Sequence, residues 1–252
     1  MSAAYDSFDY PAYWIGREYE HKSEVIAIRY FLTRIKKIKT ILEIGAGFGR
    51  LAGVYAFRAK KIILSDPSAR TLKIARKTFS TKKNFKFIHS SLENLPTKIR
   101  SGSVDVAVIV RVLHHLTSVD YAFGVINKIL KPGGYVIFEF ANKKHLKATL
   151  KNILHGNISF SKNLETADLR NKRTIKKGGL PFLNYHPEKI KTVLGEFGFE
   201  VVEKRSVSNI RSTFLKKIFS TELLVFFESL LQQPFSVLDL GPSIFVLARK
   251  RG

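Results

Sequence analysis

The densest chemical signal lies in Ile41-Leu42-Glu43-Ile44-Gly45-Ala46-Gly47-Phe48-Gly49-Arg50-Leu51, which reads as a strand, a glycine-rich turn and the start of a helix. Glycines let a backbone turn sharply and approach a ligand where a Cβ would collide. Asp66 follows at the end of the next predicted strand, 21 residues after Gly45. A carboxylate at that distance is placed to accept hydrogen bonds from the two hydroxyls of an adenosine ribose. The pair points to an adenosine-containing cofactor. A dinucleotide site needs a third glycine, and that position is Arg50. A shifted match through Gly47, Gly49 and Ala52 puts the turn two residues too late after the strand. Glu43, just before the turn, has no use for a dinucleotide, but it suits a ligand with an ammonium group, as in a nucleoside that carries an amino acid.

His114 and His115 are the only adjacent imidazoles, just beyond the fourth predicted strand. A histidine there is placed to take a proton from a phenol or hydroxyl, since its pKa lies near working pH. The competing reading is a helix-start histidine bonded to backbone. Tyr10-Pro11-Ala12-Tyr13-Trp14-Ile15-Gly16-Arg17-Glu18-Tyr19 packs four aromatics and an arginine into ten residues. It reads either as a flap over the cofactor, with Arg17 on a cofactor carboxylate, or as a staple for the first helix. His186-Pro187-Glu188 reads as a helix cap.

Short β-branched runs alternating with helix-period segments position these groups. The expected strands are Thr40–Ile44, Lys61–Ser65, Phe85–His89, Val104–Val110, Gly134–Phe140, Phe199–Lys204 and Ser243–Ala248. Helices are expected over Glu18–Ile35, Leu51–Lys60, Ala69–Phe79 and Tyr121–Leu130, the last stopped by Lys131-Pro132-Gly133-Gly134. This is the pattern of a mostly parallel, seven-stranded α/β sheet with helices on both faces. We read one domain: an aromatic and helical cap (1–39), a cofactor-binding core (40–140), a basic insertion (141–185) and a C-terminal part (186–252). The last contains one apolar helix, Thr213–Leu231, whose broad face suits a lid that buries its own core, a substrate clamp, a membrane contact or a second subunit.

The chain has 252 residues and a formal net charge of +23. Ten Lys/Arg against one acid in 58–86, and twelve against three in 141–191, concentrate the excess inside predicted structure. Such a field attracts nucleic acid, anionic membrane or a phosphorylated substrate; it also arises from lysines that merely solvate helix faces. There is no cysteine, which excludes disulfides, cysteine-ligated metal and thiolate nucleophiles. We expect no metal site, no transmembrane segment and a cytoplasmic protein, because no signal-peptide pattern is present.

Glu43-Ile44-Gly45-Ala46-Gly47-Phe48-Gly49 resembles the first motif, E/D-x-G-x-G-x-G, of the class I S-adenosylmethionine-dependent methyltransferases. Four further segments resemble that family, in order and at its spacing, across roughly 38–140. Leu64-Ser65-Asp66-Pro67-Ser68 is similar to its ribose loop, and Ser91-Leu92-Glu93-Asn94-Leu95-Pro96 to its adenine-contacting segment. Asp105 through Leu116 resembles the fourth motif of the "type 11" small-molecule branch, and Leu130-Lys131-Pro132-Gly133-Gly134 the turn before the fifth strand. One position departs: Ser91 stands where the family usually has Asp, so the adenine amino group would meet an uncharged acceptor.

The resemblance implies a Rossmann-like fold and S-adenosylmethionine as cofactor, with S-adenosylhomocysteine as product. Glu43, Gly45, Ala46, Gly47 and Gly49 would surround its methionine end. Asp66 and Pro67 would hold the ribose, and Ser91, Leu92 and Glu93 the adenine. Backbone at Ile109 and Val110 would face the amino group. The acceptor expected is a small molecule, apolar or anionic. The charge keeps an RNA methyltransferase open, although the Asn/Asp-Pro-Pro-Tyr/Phe motif for exocyclic amines is absent. A non-catalytic cofactor-binding scaffold is the third reading.

Overall fold

The computed structural model describes residue 6 and residues 9–170, 172–176 and 179–252. The chain opens with α1 (Tyr10–Tyr13) and α2 (Glu18–Thr33), then β1 (Thr40–Ile44), α3 (Ala52–Tyr55), β2 (Lys61–Asp66), α4 (Ala69–Thr78) and β3 (Phe85–His89). It continues through α5 (Leu95–Lys98), β4 (Val104–Ile109), α6 (Val119–Ile129) and β5 (Leu130–Ala141). The insertion holds α7 (Leu146–Leu154), β6 (Ala167–Asp168), α8 (Lys172–Lys176) and β7 (Leu183–Asn184). Then come α9 (Pro187–Glu196), β8 (Phe199–Val207), α10 (Thr213–Ile218), α11 (Thr221–Val237) and β9 (Ser243–Lys250).

Seven strands form one sheet in the order β3-β2-β1-β4-β5-β9-β8. β1 to β5 run parallel, and β9 lies antiparallel between β5 and β8. β6 and β7 make a separate two-stranded ribbon within the insertion. Alternation along β1 explains the layers. Leu42 and Ile44 join the core beneath α6 and α9, with Phe123, Phe138 and Phe199. Ile41 turns to the other face and joins Ile28 and Phe31 of α2 and Tyr55 of α3. Strands buried on both sides are near-continuous apolar runs, as in Val104–Ile109. The strand order reverses between β1 and β4, which opens a crevice over their carboxyl ends.

Three elements differ from the sequence reading. The helix expected over Leu51–Lys60 ends at Tyr55 and tightens into a 3₁₀ turn at Ala56–Arg58. There Tyr55 donates to Glu43, and Arg58 donates to the carbonyls of Leu32 and Ile35 at the end of α2. β5 begins at Leu130, and the expected stop at 131–134 is an irregularity within the strand, with Gly133 at φ +70°. The single helix expected over Thr213–Leu231 is two helices, because Phe219 is extended and Ser220 caps α11 by accepting from Leu223 N.

Candidate active site

Over the carboxyl ends of β1, β2, β3 and β4 lies a cavity of about 260 Å³. Its walls come from successive strand ends: Ile44 and Gly45, Asp66 and Pro67, Ser90 to Glu93, and Arg111 and Val112. His115, Leu116 and Leu180 close one end, and Tyr10 of the N-terminal segment covers the glycine turn.

The turn is tied to β2, since Gly45 N and Ala46 N both donate to Ser65 O, at 2.8 and 3.0 Å. Gly45 has φ +71°, and a Cβ there would collide with Val112. Gly47, at φ +55°, donates its N–H to Asp66 Oδ2 at 2.7 Å. Asp66 Oδ1 accepts from Ser68 N at 2.8 Å and from Thr71 Oγ1 at 3.1 Å. Burial raises the Asp66 carboxyl above its usual range, while these donors oppose the rise. One carboxylate thus fixes the turn and the start of α4 together. Thr71 also reaches the cavity wall.

Glu43 stands one strand residue deeper, fully buried, and accepts from the Tyr55 hydroxyl. Burial lifts it to about 7, against the opposing effects of Tyr55 and Arg50. Its side chain lies beneath the turn, outside the cavity wall. Ala46 and Gly49 are likewise behind the turn, where a Cβ on Gly49 would stand 2.8 Å from Phe79 Cε2.

A buried charged cluster supports the roof. Glu24 of α2 accepts from Arg50 at 2.5 Å and from Arg111 Nε at 2.6 Å. Burial alone would raise the Glu24 carboxyl, but the two guanidiniums outweigh it and hold it below its usual range. Arg50 stacks on the Trp14 ring at 3.5 Å and Arg111 lies 4.8 Å from the same ring. Arg111 has φ +58° and donates its backbone N–H to Glu139 at 3.0 Å. The cluster locks the N-terminal segment over the turn, as does the bond from Ser68 Oγ to Asp6 at 2.5 Å.

The two histidines separate. His115 lines the cavity, and its Nδ1 sits 2.7 Å from Pro181 O, which assigns the proton to Nδ1 and the lone pair to Nε2. Burial lowers its pKa, so the ring is neutral near pH 7. His114 turns inward against Phe182, with Nδ1 4.0 Å from Glu139, and burial holds it down at about 3.

The residues expected from the sequence therefore divide. Gly45, Gly47, Asp66, Pro67, Ser91, Leu92, Glu93 and His115 meet around one cavity. Arg17 does not join them: at the N-terminus of α2, its guanidinium lies over the Tyr13 ring at 4.1 Å. The side chains of Ile109 and Val110 point into the two cores. The cationic wall residue is Arg111, which the sequence reading passed over. Its signal was available: it is the sole charged residue between Asp105 and Asp120, at the end of an apolar strand. His186 is a cap, its Nδ1 accepting from Glu188 N at 3.2 Å.

The sheet order and the glycine-turn cavity define the class I, Rossmann-like methyltransferase fold. Residues 42–138 match the family model "Methyltransferase domain". The chain is similar to methyltransferase nsrG of Aspergillus novofumigatus, 32% identical over 94 residues that make up 37% of this chain and 36% of that protein. The match thus spans about a third of that relative's length. A ubiquinone biosynthesis O-methyltransferase of Vibrio atlanticus is 24% identical over 66% of this chain and 76% of its own. Among solved structures, the N-methyltransferase NodS of Bradyrhizobium japonicum, in complex with S-adenosylhomocysteine, superposes with a TM-score of 0.57. It is 16% identical, over 92% of this chain and 87% of that one. The residues present suit the cofactor: the turn leaves room where side chains would intrude, and a buried carboxylate faces the same space.

Proposed function

We propose that this chain methylates an oxygen on an apolar small molecule. The observation that carries this reading is the continuity of one cavity from Asp66 to His115. Its first half offers the glycine backbone, Asp66 and the Ser90–Glu93 segment to a nucleoside. Its second half offers Val112, Leu116 and Leu180 to an apolar acceptor, with one imidazole among them. S-adenosylmethionine supplies a sulfonium-bound methyl group for in-line displacement, leaving S-adenosylhomocysteine.

The chain's own residues position and desolvate. Asp66 orders the turn through Gly47 N and presents its carboxylate to the ribose side. Tyr10 covers the turn and shields it from water. Arg111 places a permanent positive charge on the wall, kept there by Glu24 and Glu139 against the cost of burial. His115, neutral and held by Pro181 O, takes the hydroxyl proton of the acceptor at Nε2 as the oxygen gains the methyl group. The relative named for ubiquinone biosynthesis acts on oxygen, which supports the same choice of atom.

The test incubates the purified chain with methyl-labelled S-adenosylmethionine and an extract of the source cells. Organic-soluble label that survives nuclease is the expected result; label lost to nuclease would make RNA the acceptor and overturn the reading. With the acceptor in hand, His115→Ala should lower kcat/KM about 100-fold while leaving S-adenosylhomocysteine affinity unchanged.

A further inference from the structure

α11 is built inside out. Its buried stripe is Leu224, Glu228, Gln232 and Ser236, so three of the four inward side chains are polar. Leu223, Phe226, Phe227 and Leu230 face outward, and Phe226 and Leu230 are 57% and 58% exposed. The inward orientation is fixed by hydrogen bonds. Glu228 accepts from Tyr19 Oη at 2.6 Å, Ser208 N at 2.7 Å and Asn209 N at 2.9 Å, and Gln232 donates to Ser23 O at 2.8 Å. The sequence expectation of a lid helix burying its own apolar face is thereby reversed.

α7 has the same inversion. Ala148, Thr149 and Asn152 are its partly buried side, whereas Leu146, Leu150, Ile153 and Leu154 are exposed, Leu154 by 85%. At 100° per residue those four form one arc, and Lys147 and Lys151 line one edge of it. No acid occurs between Ala141 and Leu164. The start of α7 lies beside the segment that follows α11: Leu146 N donates to Leu240 O at 2.8 Å, and α7 leaves β5 where Ala141 pairs with Ser243 at the start of β9. That is the carboxyl edge of β5, on the side of the sheet where the cavity opens.

An outward face this apolar needs a cover. We propose that the outer faces of α7 and α11 dock on an anionic lipid bilayer, with the phenylalanines and leucines at the acyl boundary and Lys147 and Lys151 among the headgroups. Charge selects this occupant. A bilayer carrying negative headgroups complements both the apolar arc and its lysine edge, which is the pattern of an interfacial helix. A second copy would bring another chain of net charge +23 against the first.

The test is flotation of the full chain with vesicles of phosphatidylcholine alone and with phosphatidylglycerol added. Wild type should float with the anionic vesicles and be released by high salt. The pairs Phe226→Gln/Phe227→Gln, Leu150→Gln/Leu154→Gln and Lys147→Glu/Lys151→Glu should each lower the bound fraction about tenfold or more. All six side chains are exposed, so thermal unfolding and S-adenosylhomocysteine affinity should stay as in wild type, which separates lost docking from lost folding. Failure of the wild type to float with anionic vesicles would overturn the proposal. So would full binding by both apolar pairs, which would reduce the contact to bulk charge. A wild-type dimer in ultracentrifugation that the Phe226/Phe227 pair dissociates, without vesicle binding, would assign the face to self-association. Because flotation needs no acceptor and no turnover, its outcome is independent of the reaction proposed above.

Discussion

At the scale of single residues, Asp66 and Glu43 are both buried carboxylates at strand ends, and their neighbours give them different tasks. Asp66 is surrounded by N–H and O–H donors that it shares between the turn and α4. Asp66→Ala removes the acceptor for Gly47 N and, on the function proposed above, the ribose partner with it. It should weaken S-adenosylhomocysteine binding about 10- to 100-fold by titration calorimetry, the range for hydrogen bonds to a charged group. Glu43 has one hydroxyl donor, and burial lifts it from the usual 4.5 to about 7. The folded state therefore holds this proton more tightly than the unfolded chain does. Its stabilising contribution is complete below about pH 4.5 and disappears as pH rises through about 7. Glu43→Gln should remove that slope, so that the variant gains about 3 kcal/mol on wild type between pH 4.5 and pH 8 in urea unfolding without cofactor. An unchanged difference across that range would show that Glu43 does not titrate there.

Elements were legible in the sequence where both of their faces are buried. β1, β2 and β4 are short apolar runs bounded by turn residues, and the glycine turn and Asp66 fall at their ends, so most of the residues that line the cavity around them could be read in advance. What could not be read was orientation. The period of Leu223, Phe226, Phe227 and Leu230 is identical whether that face looks in or out. The choice is made by Glu228, whose donors come from residues 19, 208 and 209, remote in sequence. Arg17, expected on a cofactor carboxylate, misled for a similar reason, since a place in the aromatic segment does not say whether its guanidinium turns to the cavity or, as here, onto the Tyr13 ring. Breaking the anchor of α11 should therefore cost more than breaking its outer face. Glu228→Leu strands the buried hydroxyl of Tyr19 and two backbone N–H groups. Denaturant unfolding should show a loss of about 3–5 kcal/mol, against less than about 0.5 kcal/mol for Phe226→Gln.

For the whole molecule, the N-terminal segment, the glycine turn and the strand ends converge on one cavity, so occupancy by the proposed cofactor should stiffen all of them at once. S-adenosylhomocysteine at a hundredfold its Kd adds about 2.7 kcal/mol. For a chain of this length that corresponds to a rise in Tm of about 5–10 °C in differential scanning fluorimetry. NAD at the same concentration should give no shift, because Arg50 fills the place of the third glycine and is committed to Glu24. The exposed lysines on α4 and beside β3, at the sheet edge, have a structural use whatever their partners, since charge on an edge strand discourages pairing with other chains.

The position of β9 bears on how the molecule is made. It pairs with β5 from Tyr135 to Ala141 and with β8 along its other side, so residues 243–250 are an interior strand. A nascent chain that has reached only residue 240 holds β5 with an open edge of Val136, Ile137, Phe138 and Phe140, and β8 with nothing to pair against. Until the ribosome releases the next ten residues, the half of the sheet beyond β5 is a template for other nascent chains. The cofactor cavity is assembled from strands synthesised long before, so the domain can acquire its ligand-binding half first and close its sheet last.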